Sequence, residues 1–182
     1  KKNPYNENDI ANPLSYYGKS KLLGEKQVEL ISNKFLILRV SWLFGPWKKN
    51  FVKFAISKFK KNENLFAVVD QFGIPTCTLD VCNFLNFIIE LNNFDKLNKK
   101  YHFVNRGNVV SWYDFAKVIY KIYSQKIKTN SKIIPIKAYD FFHLKIRPSY
   151  SALNNNKLIN DFKFKIDNWE NSLKKTIKKI LL

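Results

Sequence analysis

Residues 35–45 read FLILRVSWLFG, from Phe35 to Gly45, and only Arg39 and Ser41 interrupt the apolar run before its glycine. A run this continuous, rich in β-branched and aromatic side chains, is expected to form a strand buried on both faces, the pattern of parallel strands in α/β proteins. Its flanks fit that reading. Upstream, Asn12-Pro13 is expected to start a helix, with asparagine as the cap and proline at the first helical position. That helix runs from about Leu14 to Ser32, with Leu22, Leu23, Val28, Leu30 and Ile31 as its apolar stripe. Downstream, a second helix is expected over Asn50 to Lys60, with Phe51, Phe54, Ala55, Ile56 and Phe59 turned inward.

The alternation continues along the chain. Leu65 to Val69 reads as a short strand, and DQFGIPT (Asp70 to Thr76) as a turn-rich loop punctuated by Gly73 and Pro75. A helix from about Thr78 to Leu91 and a strand from Tyr101 to Val104 follow. Ser111-Trp-Tyr-Asp114 resembles a capping box, with aspartate in place of glutamate, and opens a helix to about Tyr123. Lys132 to Ile136 is expected as a strand, and Arg147 to Leu158 as a loop that ends in a short helix. Asp167-Asn-Trp-Glu170 reads as a second capping box, opening a final helix. Strands alternating with helices imply βα units and a parallel sheet.

Composition narrows the class. The chain has 182 residues, 46% of them apolar and 16% aromatic, which supplies ample material for a packed core. No stretch approaches the roughly 18 uninterrupted apolar residues of a membrane span, and no signal pattern opens the chain, so a cytoplasmic protein without membrane attachment is expected. The net charge is +18. Base-reading surfaces favour arginine for its bidentate fork, yet only Arg39, Arg106 and Arg147 are arginine here. The lysines are scattered, and asparagine, isoleucine and phenylalanine are abundant beside them, a profile that AT-rich codon usage produces. Codon bias is therefore the preferred account of the charge, with a basic nucleic-acid binder as a lesser alternative, and long-range attraction of anionic ligands remains. Cys77 and Cys82 form no C-x-x-C pair, and His102 and His143 stand without ligand spacing, so no metal site is expected. The two thiols read as small packed hydrophobes in a reducing compartment.

One constellation carries chemistry. Tyr17 and Lys21 are four residues apart inside a helix, hence on one face and one turn apart. An ammonium beside a phenol favours the phenolate. A tyrosine so placed can hand a proton to a carbonyl oxygen as hydride reaches the carbon. The spacing alone is weak in a lysine-rich chain, where Tyr113 and Lys117 repeat it.

Its context is more specific. PYNENDIANPLSYYGKSKLLGE (Pro4 to Glu25) resembles the active-site segment of extended short-chain dehydrogenase/reductases, and within them the dTDP-4-dehydrorhamnose reductases. LRVSWLFG (Leu38 to Gly45), DQFGIPT and RPSYSAL (Arg147 to Leu153) resemble three further motifs of that family, in the family's order. The resemblance implies an α/β fold: the C-terminal portion of a Rossmann-like parallel sheet plus a small α/β substrate-binding subdomain. Residues 1–69 would be the second half of the Rossmann-like domain, and 70–182 mainly the substrate-binding subdomain with returning elements.

The resemblance also implies roles. Tyr17 would protonate O4 of dTDP-4-dehydro-L-rhamnose, and Lys21 would tune it and bind the nicotinamide ribose. Trp42 would lie against the deoxysugar ring, and Gln71 and Arg147 would contact the nucleotide sugar, the arginine at the pyrophosphate. The hydride would come from NADPH or NADH, with no metal, and a homodimer is compatible with the family. The family's glycine-rich turn for the cofactor pyrophosphate and its carbonyl-polarising Ser/Thr have no counterpart among the residues given; the five glycines are too far apart for such a turn. With no methionine and Lys1 as its first residue, the chain is expected to be a piece of a longer protein. The missing βα units would amount to about 90–100 residues, and the piece alone is expected to turn nothing over. A nucleotide-sugar epimerase or dehydratase of the same family shares the Tyr/Lys pair. A non-catalytic relative, like the regulatory subunit of methionine adenosyltransferase, stands as a third reading.

Overall fold

The computed structural model describes residues 3–91, 97–140 and 147–182; His143 lies outside them. Eight strands and six helices alternate along those residues: α1 (Tyr16–Ile31), β1 (Phe35–Arg39), β2 (Leu43–Phe44), α2 (Phe51–Lys60), β3 (Leu65–Val68), β4 (Phe72–Gly73), β5 (Thr76–Cys77), α3 (Thr78–Glu90), β6 (Asn98–His102), β7 (Val110–Ser111), α4 (Trp112–Ser124), β8 (Ile133–Ile136), α5 (Asn156–Phe162) and α6 (Trp169–Leu181). Three strand pairs are parallel: β1 with β6, β2 with β5, and β3 with β8. The fourth, β4 with β7, is antiparallel. Among the described residues no helix is long and apolar enough to cross a membrane.

The run 35–45 is not one strand. β1 ends at Arg39 and is only half-buried along its length. The backbone then turns through Trp42, whose φ of 48° lies in the left-handed region, and β2 joins a different partner. A bulky residue there is a steric outlier that only tertiary contacts sustain. DQFGIPT departs from the expected loop in the same way: it contains β4 and the first residue of β5, which leads straight into α3.

The helix starts follow local capping, with shifts. Ser15, not Asn12, caps α1, its hydroxyl accepting from Gly18 N–H at 3.1 Å. Ser111 caps α4, as expected, and Asn50, expected as the first residue of α2, is its cap instead. Asn168, not Asp167, caps α6, accepting from Glu170 N–H at 2.8 Å, while Asp167 takes an ion pair with Lys175. The strand expected at Tyr101–Val104 begins earlier and ends at His102.

Two apolar cores result. The larger gathers Val52, Ala55, Ile56 and Phe59 of α2, Phe115, Ala116, Ile119 and Tyr123 of α4, and Leu173 and Ile177 of α6. The smaller joins Phe84 and Ile88 of α3 to Tyr101, Phe103, Leu158 and Ile166. Phe54, expected inward, is half-exposed, and Cys82 is exposed where Cys77 is buried. Helix α1 differs from the other long helices, since none of its side chains is buried. Leu23, Leu30 and Ile31 of its expected apolar stripe face outward.

Candidate functional site

Tyr17 and Lys21 lie on the same side of α1, with the Lys21 ammonium 5.4 Å from the centre of the Tyr17 ring. The tyrosine is 73% exposed, so its phenol is open to a ligand. Both residues line a cavity of about 650 Å³ whose other walls include Ser41, His102, Tyr150 and Ser151. Glu25, one turn beyond Lys21, lines the same cavity, paired with Arg39 of β1.

His102 ends β6 in the wall of this cavity. Its backbone N–H donates to Glu7 Oε1 at 2.8 Å, and its Nδ1 lies 3.1 Å from the Tyr5 carbonyl oxygen. A carbonyl only accepts, so Nδ1 carries the proton. Nε2 is buried without a hydrogen-bond partner among the described residues. Burial pushes His102 below the ordinary histidine range; Arg39 adds to that, and Glu7 opposes it.

Trp42, Gln71 and Arg147 line a second cavity, of about 280 Å³, with Trp112, Pro148 and Ser151. Trp42 is held on several sides. Its Nε1–H donates to Ser151 Oγ at 3.0 Å, its ring stacks on Trp112 at 3.7 Å and 9°, and its carbonyl accepts from Thr76 N–H at 3.1 Å. Gly73 packs directly against the indole: a Cβ there would lie 2.5 Å from Trp42 Cε2. Gln71 is buried and Arg147 exposed.

A third cavity, of about 530 Å³, is mainly aromatic and aliphatic, with Phe51, Phe54, Phe66, Val68 and Ile136 in its walls. Gln71, Trp112 and Arg147 line it as well as the second cavity, and Pro148 and Ser151 line the second and the first. The three therefore stand in a row with shared walls. Tyr17 and Lys21 are at one end; Trp42, Gln71 and Arg147 occupy the middle. The two groups share no single cavity, but segment 147–151 borders both.

Such a row can hold an elongated ligand with a polar end at the phenol and amine, an anionic middle at Arg147 and an apolar planar end among the aromatics. Among the described residues, no group of three His, Cys, Asp or Glu side chains is arranged to hold a metal ion. Sequence reasoning passed over Ser151, Trp112 and the Glu25–Arg39 pair, and weighed His102 only as a metal ligand. Ser151 and Arg39 stood inside the quoted motifs, and Trp112 inside a capping box read only as a helix start.

Comparison with known families matches the RmlD substrate-binding domain to residues 1–182. The chain belongs to that family. A dTDP-4-dehydrorhamnose reductase of Aggregatibacter actinomycetemcomitans is 37% identical over 178 residues, covering 96% of this chain and 60% of the relative. The crystal structure of a dTDP-4-dehydrorhamnose reductase from Clostridium acetobutylicum superposes with a TM-score of 0.88 at 34% identity, over 100% of this chain and 61% of that one. That of the Bacillus anthracis enzyme, in complex with NADP, superposes at 0.84 with 31% identity, over 97% and 59%. This chain thus spans about three-fifths of the length of these relatives. The α/β class expected from the strand–helix alternation, with its parallel strand pairs, is that of these Rossmann-like reductase structures.

Proposed function

We propose that residues 1–182 are the substrate-binding part of a dTDP-4-dehydrorhamnose reductase, which reduces the C4 ketone of dTDP-4-dehydro-L-rhamnose to give dTDP-L-rhamnose. The observation that carries this reading is the row of cavities. It sets the exposed Tyr17 phenol and the Lys21 ammonium at one end, Arg147 in the middle and a planar aromatic chamber at the other. That order matches a sugar, a pyrophosphate and a base.

In this reading the sugar ketone lies at Tyr17, whose phenol gives its proton to O4 as C4 is reduced. Lys21, beside the ring, stabilises the phenolate left behind until solvent restores the proton. Bound NADPH or NADH supplies the hydride; Tyr17 and Lys21 suit its ribose and nicotinamide because both are open to the same cavity. Arg147 neutralises the pyrophosphate through charge-assisted hydrogen bonds, and Phe51 and Phe66 cover the base. Trp42 borders the sugar's path, with its N–H engaged by Ser151 and one face by Trp112. The glycine-rich cofactor turn is not among residues 1–182, and we propose that this stretch by itself oxidises no NADPH.

Isothermal titration of the 182-residue chain tests the binding half. dTDP-L-rhamnose is expected to bind more tightly than UDP-glucose, and Arg147→Gln to weaken it about tenfold, the scale of a lost charge-assisted hydrogen bond. Absence of any dTDP-sugar binding would sink the proposal.

A further inference from the structure

We propose that Trp112 is a positioning residue of the sugar-binding site: with Ser151 it fixes the indole of Trp42, so that the two stacked rings act as one slab between the sugar end and the base end of the row. This rests on the reading that the row takes a sugar nucleotide.

The argument begins with the backbone. At φ 48° a tryptophan has no local preference for the conformation Trp42 adopts, so its indole stays in place only if neighbours over-determine it. Trp112 is mounted to do so. It is the first residue of α4, a helix whose Phe115, Ala116, Ile119 and Tyr123 are fully buried, and its cap Ser111 pairs with Phe72 across β4 and β7. Segment 149–151 reaches the same strut from the other side. Phe72 N–H donates to Ser149 O and Ser151 N–H donates to Phe72 O, each at 2.8 Å, while Ser151 Oγ–H donates to Phe72 O at 3.2 Å. The backbone of Phe72 therefore fixes both the ring stacked on Trp42 and the hydroxyl that receives its N–H. A core-filling tryptophan needs none of this registration. Trp112 also lines the second and third cavities, which places it beside any ligand that spans them.

The test has two readouts. In a chain labelled with 5-fluorotryptophan, the four tryptophans give fluorine resonances assignable by single Trp→Phe replacements. The Trp42 resonance is expected to move strongly in W112L and little in W112F, which keeps an aromatic face. By titration, W112L is expected to lose affinity for dTDP-L-rhamnose about tenfold, the upper range for an aromatic pair, and W112F less than about threefold. If W112L does not fold, S151A removes the edge contact while keeping the packed volume. It should move the Trp42 resonance and weaken binding about threefold, as one neutral hydrogen bond would. A folded W112L, or S151A in its place, with an unmoved Trp42 resonance or with wild-type affinity overturns the inference. If the wild-type chain binds no dTDP-sugar, the underlying reading fails and the ligand role of the slab falls with it. The fluorine spectra still decide whether Trp112 holds Trp42.

Discussion

Arg39 grips Glu25 with one edge of its guanidinium, engaging both carboxylate oxygens: Nε donates to Oε1 at 2.8 Å and Nη2 to Oε2 at 2.6 Å. This pair fastens α1 to β1. Among residues 1–182 the helix buries no side chain fully, and this polar pair is one attachment that keeps Tyr17 and Lys21 over their cavity. Lys100 of β6 adds a second clamp, to Glu29, at 2.9 Å. Glu25 follows Lys21 by one turn and Tyr17 by two, and the residue that anchors the face thus lies in line with the pair it orients.

Breaking that grip should loosen the helix before it unfolds the domain. Both side chains are mostly shielded, at 22% and 16% exposure, so Arg39→Gln leaves a partly desolvated carboxylate. We expect a loss of about 1–3 kcal/mol. Arg39→Lys should recover part of it, since an ammonium cannot reproduce the fork. Hydrogen exchange by mass spectrometry should speed up over residues 16–31 more than in α4. Uniform acceleration across the chain would contradict the anchoring role.

Gly73 is irreplaceable for a steric reason. A Cβ would meet the Trp42 ring at 2.5 Å, and the indole cannot yield, being stacked on Trp112 and bonded to Ser151. Gly73→Ala should cost about 1–3 kcal/mol, the range for overpacking a filled site, and should alter the near-ultraviolet circular dichroism of the stacked indoles. A urea midpoint equal to that of the wild type would refute the crowding.

His102 makes stability fall on the acid side of neutrality. The unfolded chain takes up a proton near the ordinary histidine value of about 6.5, whereas burial holds the folded ring neutral below it. Between those two values the unfolded state binds more protons. Stability therefore drops as pH falls through the window, by up to about 1.4 kcal/mol per pH unit, and levels off below the folded value. Asp114 and Asp167, held low by Lys117 and Lys175, lose their contributions only at more acid pH. Urea midpoints measured from pH 7 down to pH 5 should decline for the wild type and stay flatter for His102→Asn. Equal slopes would remove His102 as the cause.

Tyr17→Phe separates binding from chemistry. In the longest natural protein that carries residues 1–182, it should leave dTDP-L-rhamnose affinity within about threefold while lowering NADPH-dependent ketone reduction about 10²- to 10⁴-fold, the usual contribution of a positioned proton donor. Reduction at the wild-type rate would remove Tyr17 from the mechanism.

Much of this was readable from local pattern. Asn50 and Ser111 announce their helices because a capping side chain bonds only two or three residues ahead. The alignment of Tyr17 and Lys21 follows from helical periodicity alone. The strands β3 and β8 stand where their apolar runs predict them. Only tertiary structure decided that 35–45 breaks at Trp42, because the contacts that hold a bulky residue at positive φ come from Thr76, Trp112 and Ser151, the last 109 positions away. It also decided that Glu25 and Glu29 of α1 would pair with Arg39 and Lys100 of the neighbouring strands, since periodicity marks a face but not what packs on it. Sequence-local hydrogen bonds and turn geometry act over a few residues and so can be read along the chain. The placement of an indole, or the neutrality of a buried imidazole, depends on groups that only folding brings together.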